Sequence, residues 1–287
     1  MQGETVLGEA VEAYRAALGD RLLAAYALGS LAHGGFSELV SDIDLGLILS
    51  DPPQARDPDA IQQVAESERR KGSPLHERLS VFWGTPATLA GEQEGGRFPP
   101  LDRLDLLENG RLLAGTDDAR TRVRRPSTQE LVITGAEFAL DHLAAVRPPP
   151  GDDGDQLGSI RADGSEAFEQ IRSAELLAAQ GVRQVTKLVL FPVRFMYTAA
   201  TGHVGTNADA VAHYLERPAT PSPKLVEAAL AWRTAPPSEP AAVVELLDAQ
   251  LVPLYLEYID DHERRLQAMG RGDLATAFDE WREQLRA

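Results

Sequence analysis

The chain has 287 residues, no cysteine, and a formal charge of −16 from 28 basic and 44 acidic side chains. That length accommodates two domains, each with its own core, while the lack of cysteine excludes disulfides, thiolate chemistry and cysteine zinc sites. A surface this negative repels a nucleic-acid backbone, so a nucleic-acid partner is not expected, whereas a cationic small substrate would be attracted.

The opening residues, MQGETVLGEAVEAYR, carry no basic segment followed by an apolar one, and no apolar run approaches membrane-spanning length. A soluble, cytoplasmic protein with no membrane partner is expected. Glu4 to Leu18 places Val6, Leu7, Val11, Tyr14 and Leu18 on one helical face, with Gly19 as a stop. The apolar run Leu22 to Leu28 then reads as a strand and leads into Gly29-Ser30. A glycine lets backbone approach a ligand closely, and the amide and hydroxyl of the next residue can hold phosphate oxygens. His33, Gly34 and Gly35 keep the following connection small, and His33 reads as a solvated loop residue.

The next strand carries Asp42-Ile43-Asp44-Leu45-Gly46-Leu47-Ile48-Leu49. Residues i and i+2 of a strand project to one face, so Asp42 and Asp44 would point together while Ile43, Leu45 and Leu47 point the other way. Two carboxylates at close range need a shared proton or a cation. Mg²⁺ fits, because it takes one or two carboxylates and completes its shell with water and substrate phosphate. Asp42 and Asp44 are therefore the candidate metal ligands, and Gly29 and Ser30 the candidate phosphate-binding residues.

At GSLAHGGFSELVSDIDLGL the sequence resembles the DNA polymerase β-like nucleotidyltransferase superfamily, whose signature is Gly-Ser followed about a dozen residues later by Asp-x-Asp between apolar residues. The resemblance implies an α+β catalytic domain, a small mixed sheet with helices, that uses Mg²⁺ and a nucleoside triphosphate such as ATP. It also implies a third acid from the neighbouring strand, as metal ligand or as base on the attacking hydroxyl.

Further along, Pro58 to Arg70 reads as an amphipathic helix with Ile61 and Val64 inward, and Leu79 to Trp83 as a third strand. Glu77 is the nearest candidate for the implied third acid. If the strand begins that early, Glu77 shares a face with Leu79, Val81 and Trp83; the strand interior offers Ser80 instead of an acid. Gly84 to Pro100, rich in Gly, Pro and Glu, reads as a surface excursion. The stretch LDRLDLLENGRLLAG reads as a short helix followed by a strand at Arg111-Leu112-Leu113, and it resembles the segment closing the catalytic domain of drug-modifying nucleotidyltransferases. Asp102 and Asp105 read there as capping and surface charges, and Arg120, Arg122, Arg124 and Arg125 as a solvated loop.

Ser127-Thr128-Gln129-Glu130 is a capping box that opens a helix to Val146. The Pro- and Gly-rich stretch that follows marks a boundary, giving a catalytic domain over 1–147, a linker over 148–163 and an all-α bundle over 164–287. In the bundle, Val182 to Thr201 is the most apolar helix and contains Pro192; helices from Ser222-Pro223 to Arg233, Pro240 to Met269 and Leu274 to Leu285 follow. The stretch TKLVLFPVRFMYTAATGHVGTNADAVAHYL, with the Ala-Ala-Leu-Ala-Trp-Arg run after it, resembles the helical domain of streptomycin/spectinomycin-type aminoglycoside adenylyltransferases. That resemblance implies adenylyl transfer from ATP to a hydroxyl of a small, aminoglycoside-like acceptor, and a triphosphate contact for Arg194 in a cleft between the domains. Two positions depart from the family pattern. Asn207 stands where a phosphate-contacting lysine is usual, with Lys187 the nearest substitute, and Val182-Arg183-Gln184 stands where the family has drug-binding acids.

Overall fold

A computed structural model of the chain describes residues 2–144 and 164–287. They divide into two compact units, 2–126 and 127–144 with 164–287. Among the described residues no helix is long and apolar enough to cross a membrane.

The first unit runs α1 (Gln2–Leu18), β1 (Leu22–Leu28), α2 (Gly29–His33), β2 (Ile43–Leu49), α3 (Asp57–Arg69), α4 (Pro74–Glu77), β3 (Leu79–Gly84), α5 (Pro86–Ala90), α6 (Pro100–Glu108) and β4 (Arg111–Gly115), then a 3₁₀ turn over Asp117–Arg122. The strands form one mixed sheet in the order β3-β2-β1-β4, with β2 and β3 parallel and the other pairs antiparallel. Alternation along β2 separates its two faces. Ile43, Leu45, Leu47 and Leu49 join Ala25, Ala27, Val81 and Trp83 in a core closed by Leu7 and Tyr14 of α1, Ile61 of α3 and Leu75 of α4. The Tyr14 hydroxyl donates to the Ile61 carbonyl at 3.0 Å and ties α1 to α3.

On the opposite face, Tyr26, Leu28, Ile48 and Phe82 pack under Leu89 of α5, Leu106 of α6 and Val123. This second layer differs from the expected surface excursion. Pro86, Ala87, Thr88 and Leu89 are buried, and α5 starts from a reciprocal cap between Thr85 and Thr88. The arginine run is exposed at Arg122, Arg124 and Arg125, as expected of a solvated loop, but not at Arg120. Arg120 lies over the Tyr26 ring at 5.6 Å and donates to the Gly110 carbonyl at 2.7 Å, while Arg125 pairs with Glu108.

The second unit is helical: α7 (Thr128–Leu143), α8 (Gly164–Arg172), α9 (Ala174–Ala179), α10 (Val182–Thr201), α11 (Asn207–Leu215), α12 (Pro223–Trp232), α13 (Pro240–Ala268) and α14 (Gly272–Arg286). The expected capping box is formed, with Ser127 Oγ accepting the Glu130 amide at 3.2 Å and Glu130 Oε2 accepting the Ser127 amide at 2.9 Å. The sequence places the helix it starts in the catalytic domain. Instead its Val132, Ala136, Ala139, Leu140 and Leu143 are buried in one core with Leu188 and Val189 of α10, Tyr255 and Tyr258 of α13 and Trp281 of α14. The compact units divide between Pro126 and Ser127, ahead of the expected boundary at 147, and the expected linker and the helix end at Val146 lie outside the described residues.

Candidate active site

The site is built where β1 ends and β2 begins. Antiparallel pairing sets Leu28 opposite Asp44, so the residue after Leu28 meets the aspartate side chain. That residue is Gly29, in the left-handed region at φ +58°, and a Cβ there would fall on the Asp44 carboxylate. Two independent constraints therefore require glycine, the sign of φ and the lack of space. Ser30 follows within α2, and Ser30, Asp42 and Asp44 are all half-buried. Asp42 directly precedes the first paired residue of β2, Ile43.

Asp44 shares its sheet face with Gly46 and Ile48, away from the face of Ile43 and Leu45 that α1, α3 and α4 cover. Its partner on β3 is Ser80, in the parallel register Asp44↔Ser80. The position beside Asp44 from which a neighbouring strand would supply an acid thus carries a hydroxyl.

Glu77 does not reach that face. The strand starts at Leu79, because Ile43 pairs with Leu79 and donates its amide to the Arg78 carbonyl at 3.1 Å. Glu77 instead ends α4, exposed, and Leu79, Val81 and Trp83, with which it was expected to share a face, belong to the helix-covered core. Among the described residues, no third His, Asp or Glu joins Asp42 and Asp44 in a set of mutually close ligand atoms.

A set of that kind does exist elsewhere in the unit, at Glu9, Glu68 and His76 on α1, α3 and α4. Lys71 already supplies its cation, with Nζ at 2.9 Å from Glu9 and 2.7 Å from Glu68. The bonds to Lys71 and His76 hold the Glu9 carboxyl below its ordinary value, and those to Glu68 and Glu9 raise the Lys71 ammonium. This is an ion-pair network joining three helices.

One residue of the site escaped the sequence pattern. Asp105, read as a surface charge, is buried, and its Oδ2 accepts the Gly29 amide at 2.6 Å. The only local hint was Asn109, one helical turn on, which donates to Asp105 Oδ1 at 2.9 Å. Because the Gly29 amide is bound to Asp105, a phosphate meeting this turn would use the groups of Ser30 and beyond.

In the helical unit Arg194 is exposed on α10. Lys187 lies 5.8 Å from the Phe191 ring centroid, and Asn207 is the first residue of α11, behind a Thr206/Asp209 capping box.

The residues present suit a hard divalent cation. Asp42 and Asp44 are half-buried carboxylates, the oxygen donors such an ion takes, and the missing Cβ of Gly29 makes room for the Asp44 carboxylate beside the turn.

The first unit is thus a small mixed sheet with helices that seats a Gly-Ser turn on Asp44, and the second unit is helical. In fold the chain is similar to spectinomycin adenyltransferase AAD(9) from Enterococcus faecialis, whose crystal structure was determined with ATP and spectinomycin. The match has a TM-score of 0.53 and covers 86% of this chain and 98% of that one at 12% identity. No family model and no curated protein matches the sequence.

Proposed function

We propose that this chain is a Mg²⁺-dependent nucleotidyltransferase that moves a nucleoside monophosphate, AMP from ATP, onto a hydroxyl of a small acceptor. The observation that carries this reading is the seating of the Gly29-Ser30 turn directly on Asp44. The ATP and spectinomycin of the structural neighbour support an adenylyl donor and a small, aminoglycoside-like acceptor.

In this reading Asp42 and Asp44 hold the metal, which when bound offsets charge on the α-phosphate. Ser30 binds the outer phosphates through its amide and hydroxyl, and the acidic surface attracts a cationic acceptor. The acceptor oxygen bonds to the α-phosphorus, its proton is released, and the bond to the departing pyrophosphate breaks. Glu77 is given no role in this reading, because it ends α4 and strand pairing with β2 begins only at Leu79. Arg194, an exposed cation on α10, is proposed as a phosphate-binding residue on the family resemblance.

Pyrophosphate release from MgATP across hydroxyl-bearing acceptors tests the reading. Asp42→Ala and Asp44→Ala are each expected to lower the rate by about 10²-fold or more. Wild-type protein that neither binds MgATP nor releases pyrophosphate would refute it. A second reading is favoured by Ser80 at the register position of Asp44: a nucleotide-binding protein with weak or no turnover. MgATP binding that is lost in Asp44→Ala, without pyrophosphate release from wild type, would support that alternative.

A further inference from the structure

The Gly-Ser turn is anchored by a residue that its motif does not contain. Asp105 lies 76 residues from Gly29 in sequence and is 6% exposed. Both of its oxygens are engaged, Oδ2 by the Gly29 amide at 2.6 Å and Oδ1 by Asn109 Nδ2 at 2.9 Å. Burying a carboxylate is costly unless donors meet it, and a short bond from a backbone amide to an ionised oxygen is about twice as strong as a neutral one.

Residue 29 is therefore held on two sides. Its amide is bound by Asp105, and the side where a Cβ would stand is taken by Asp44. Glycine samples more backbone conformations than any other residue, so a glycine turn stays in one geometry only if something outside it imposes that geometry. Loss of the Asp105 bond would let the turn relax away from Asp44 and would move the Ser30 groups with it. Asn109, the C-cap of α6, keeps the carboxylate from rotating.

We propose that Asp105 is the positioning residue of the phosphate turn: by binding the Gly29 amide it sets the left-handed geometry that places Ser30 beside Asp44, so triphosphate affinity depends on a side chain that touches neither phosphate nor metal. This rests on the nucleotidyltransferase reading and deepens it. It also makes a third carboxylate part of the site without making it a metal ligand.

The test uses the full chain with the variants Asp105→Ala, Asp105→Asn and Asn109→Ala. MgATP affinity is measured by calorimetry, thermal stability in parallel, and the Gly29 amide by its proton shift and hydrogen exchange. In wild type the Gly29 amide is expected downfield and protected, and Asp105→Ala should abolish both signatures and raise the MgATP Kd by about 10- to 100-fold. Asp105→Asn keeps an acceptor oxygen for the amide and should restore most of the affinity. Should Asp105→Ala not fold, Asn109→Ala carries the test with a loss of about two- to tenfold.

A drop in stability with unchanged Kd in the folded variants would leave Asp105 a structural residue and overturn the proposal. Asp105→Asn as damaging as Asp105→Ala, with Mg²⁺ binding lost, would make it a direct ligand and overturn it as well. Failure of wild type to bind MgATP would sink the nucleotidyltransferase reading itself. Wild-type binding with Asp105→Ala unaltered would sink this inference alone.

Discussion

Gly29→Ala is the sharpest single perturbation, because the structure supplies its own control. Alanine at φ +58° pays about 1–2 kcal/mol for left-handed backbone. Its Cβ would also force Asp44 off its present position, adding about 0.5–1.5 kcal/mol if the aspartate leaves its preferred rotamer. The sum, about 1.5–3.5 kcal/mol, corresponds to a fall of roughly 6–13 °C in the melting temperature of a unit this size. Gly19 has nearly the same backbone, φ +53°, with nothing within 4 Å of an added Cβ. Gly19→Ala therefore reports the backbone cost alone, and the difference between the two variants isolates the displacement of Asp44. Denaturant titration of both variants, with Mg²⁺-dependent nucleotide binding measured alongside, is the assay. Binding should be lost in Gly29→Ala and kept in Gly19→Ala. Equal destabilisation of the two with binding intact in both would refute the seating of the turn on Asp44.

His262, on α13, is buried with its ring 4.3 Å from that of Tyr258 and stacked on Phe278. Burial pushes its imidazole below the ordinary 6.5 and outweighs the opposing pull of Asp261. The unfolded chain therefore takes up the proton first, and stability, complete above 6.5, should fall as the pH drops below that value. Burial acts to raise the neighbouring Asp261 carboxyl, but bonds from His262 and Arg265 overcome it and hold the group well below its usual range. Its contribution is thus lost only in much stronger acid. Melting temperatures from pH 8 to 5 should slope downward in wild type and less so in His262→Phe, and identical slopes would refute the assignment. Ser127→Ala removes the acceptor for the Glu130 amide and should cost about 1 kcal/mol by denaturant titration; no change would show the cap to be idle.

Where a structural decision is local, residue order alone carried it. Alternating and continuous apolar runs marked β1 and β2, the 3.6-residue spacing marked α1 and α3, and Ser127-x-x-Glu130 marked the start of α7. That Gly29 follows β1 and that Asp44 lies on the face of β2 opposite Ile43 and Leu45 was equally legible, since strand alternation and the conformational freedom of glycine are properties of the residues themselves.

What stayed hidden depends on partners distant in sequence. Asp105 looks like any charge on a short amphipathic helix until α6 is laid across the sheet and the Gly29 amide arrives. The third strand begins at Leu79, leaving Glu77 outside it, because parallel pairing with Ile43 begins there, which nothing around residue 77 encodes. The five residues of α5 are too few for a periodic signal, and their burial follows from Leu89 filling the second sheet face. The helix at Ser127 was readable as a helix, but its core was not. An apolar stripe specifies that a helix must be covered, whereas which core covers it is decided by the shapes that meet it in three dimensions.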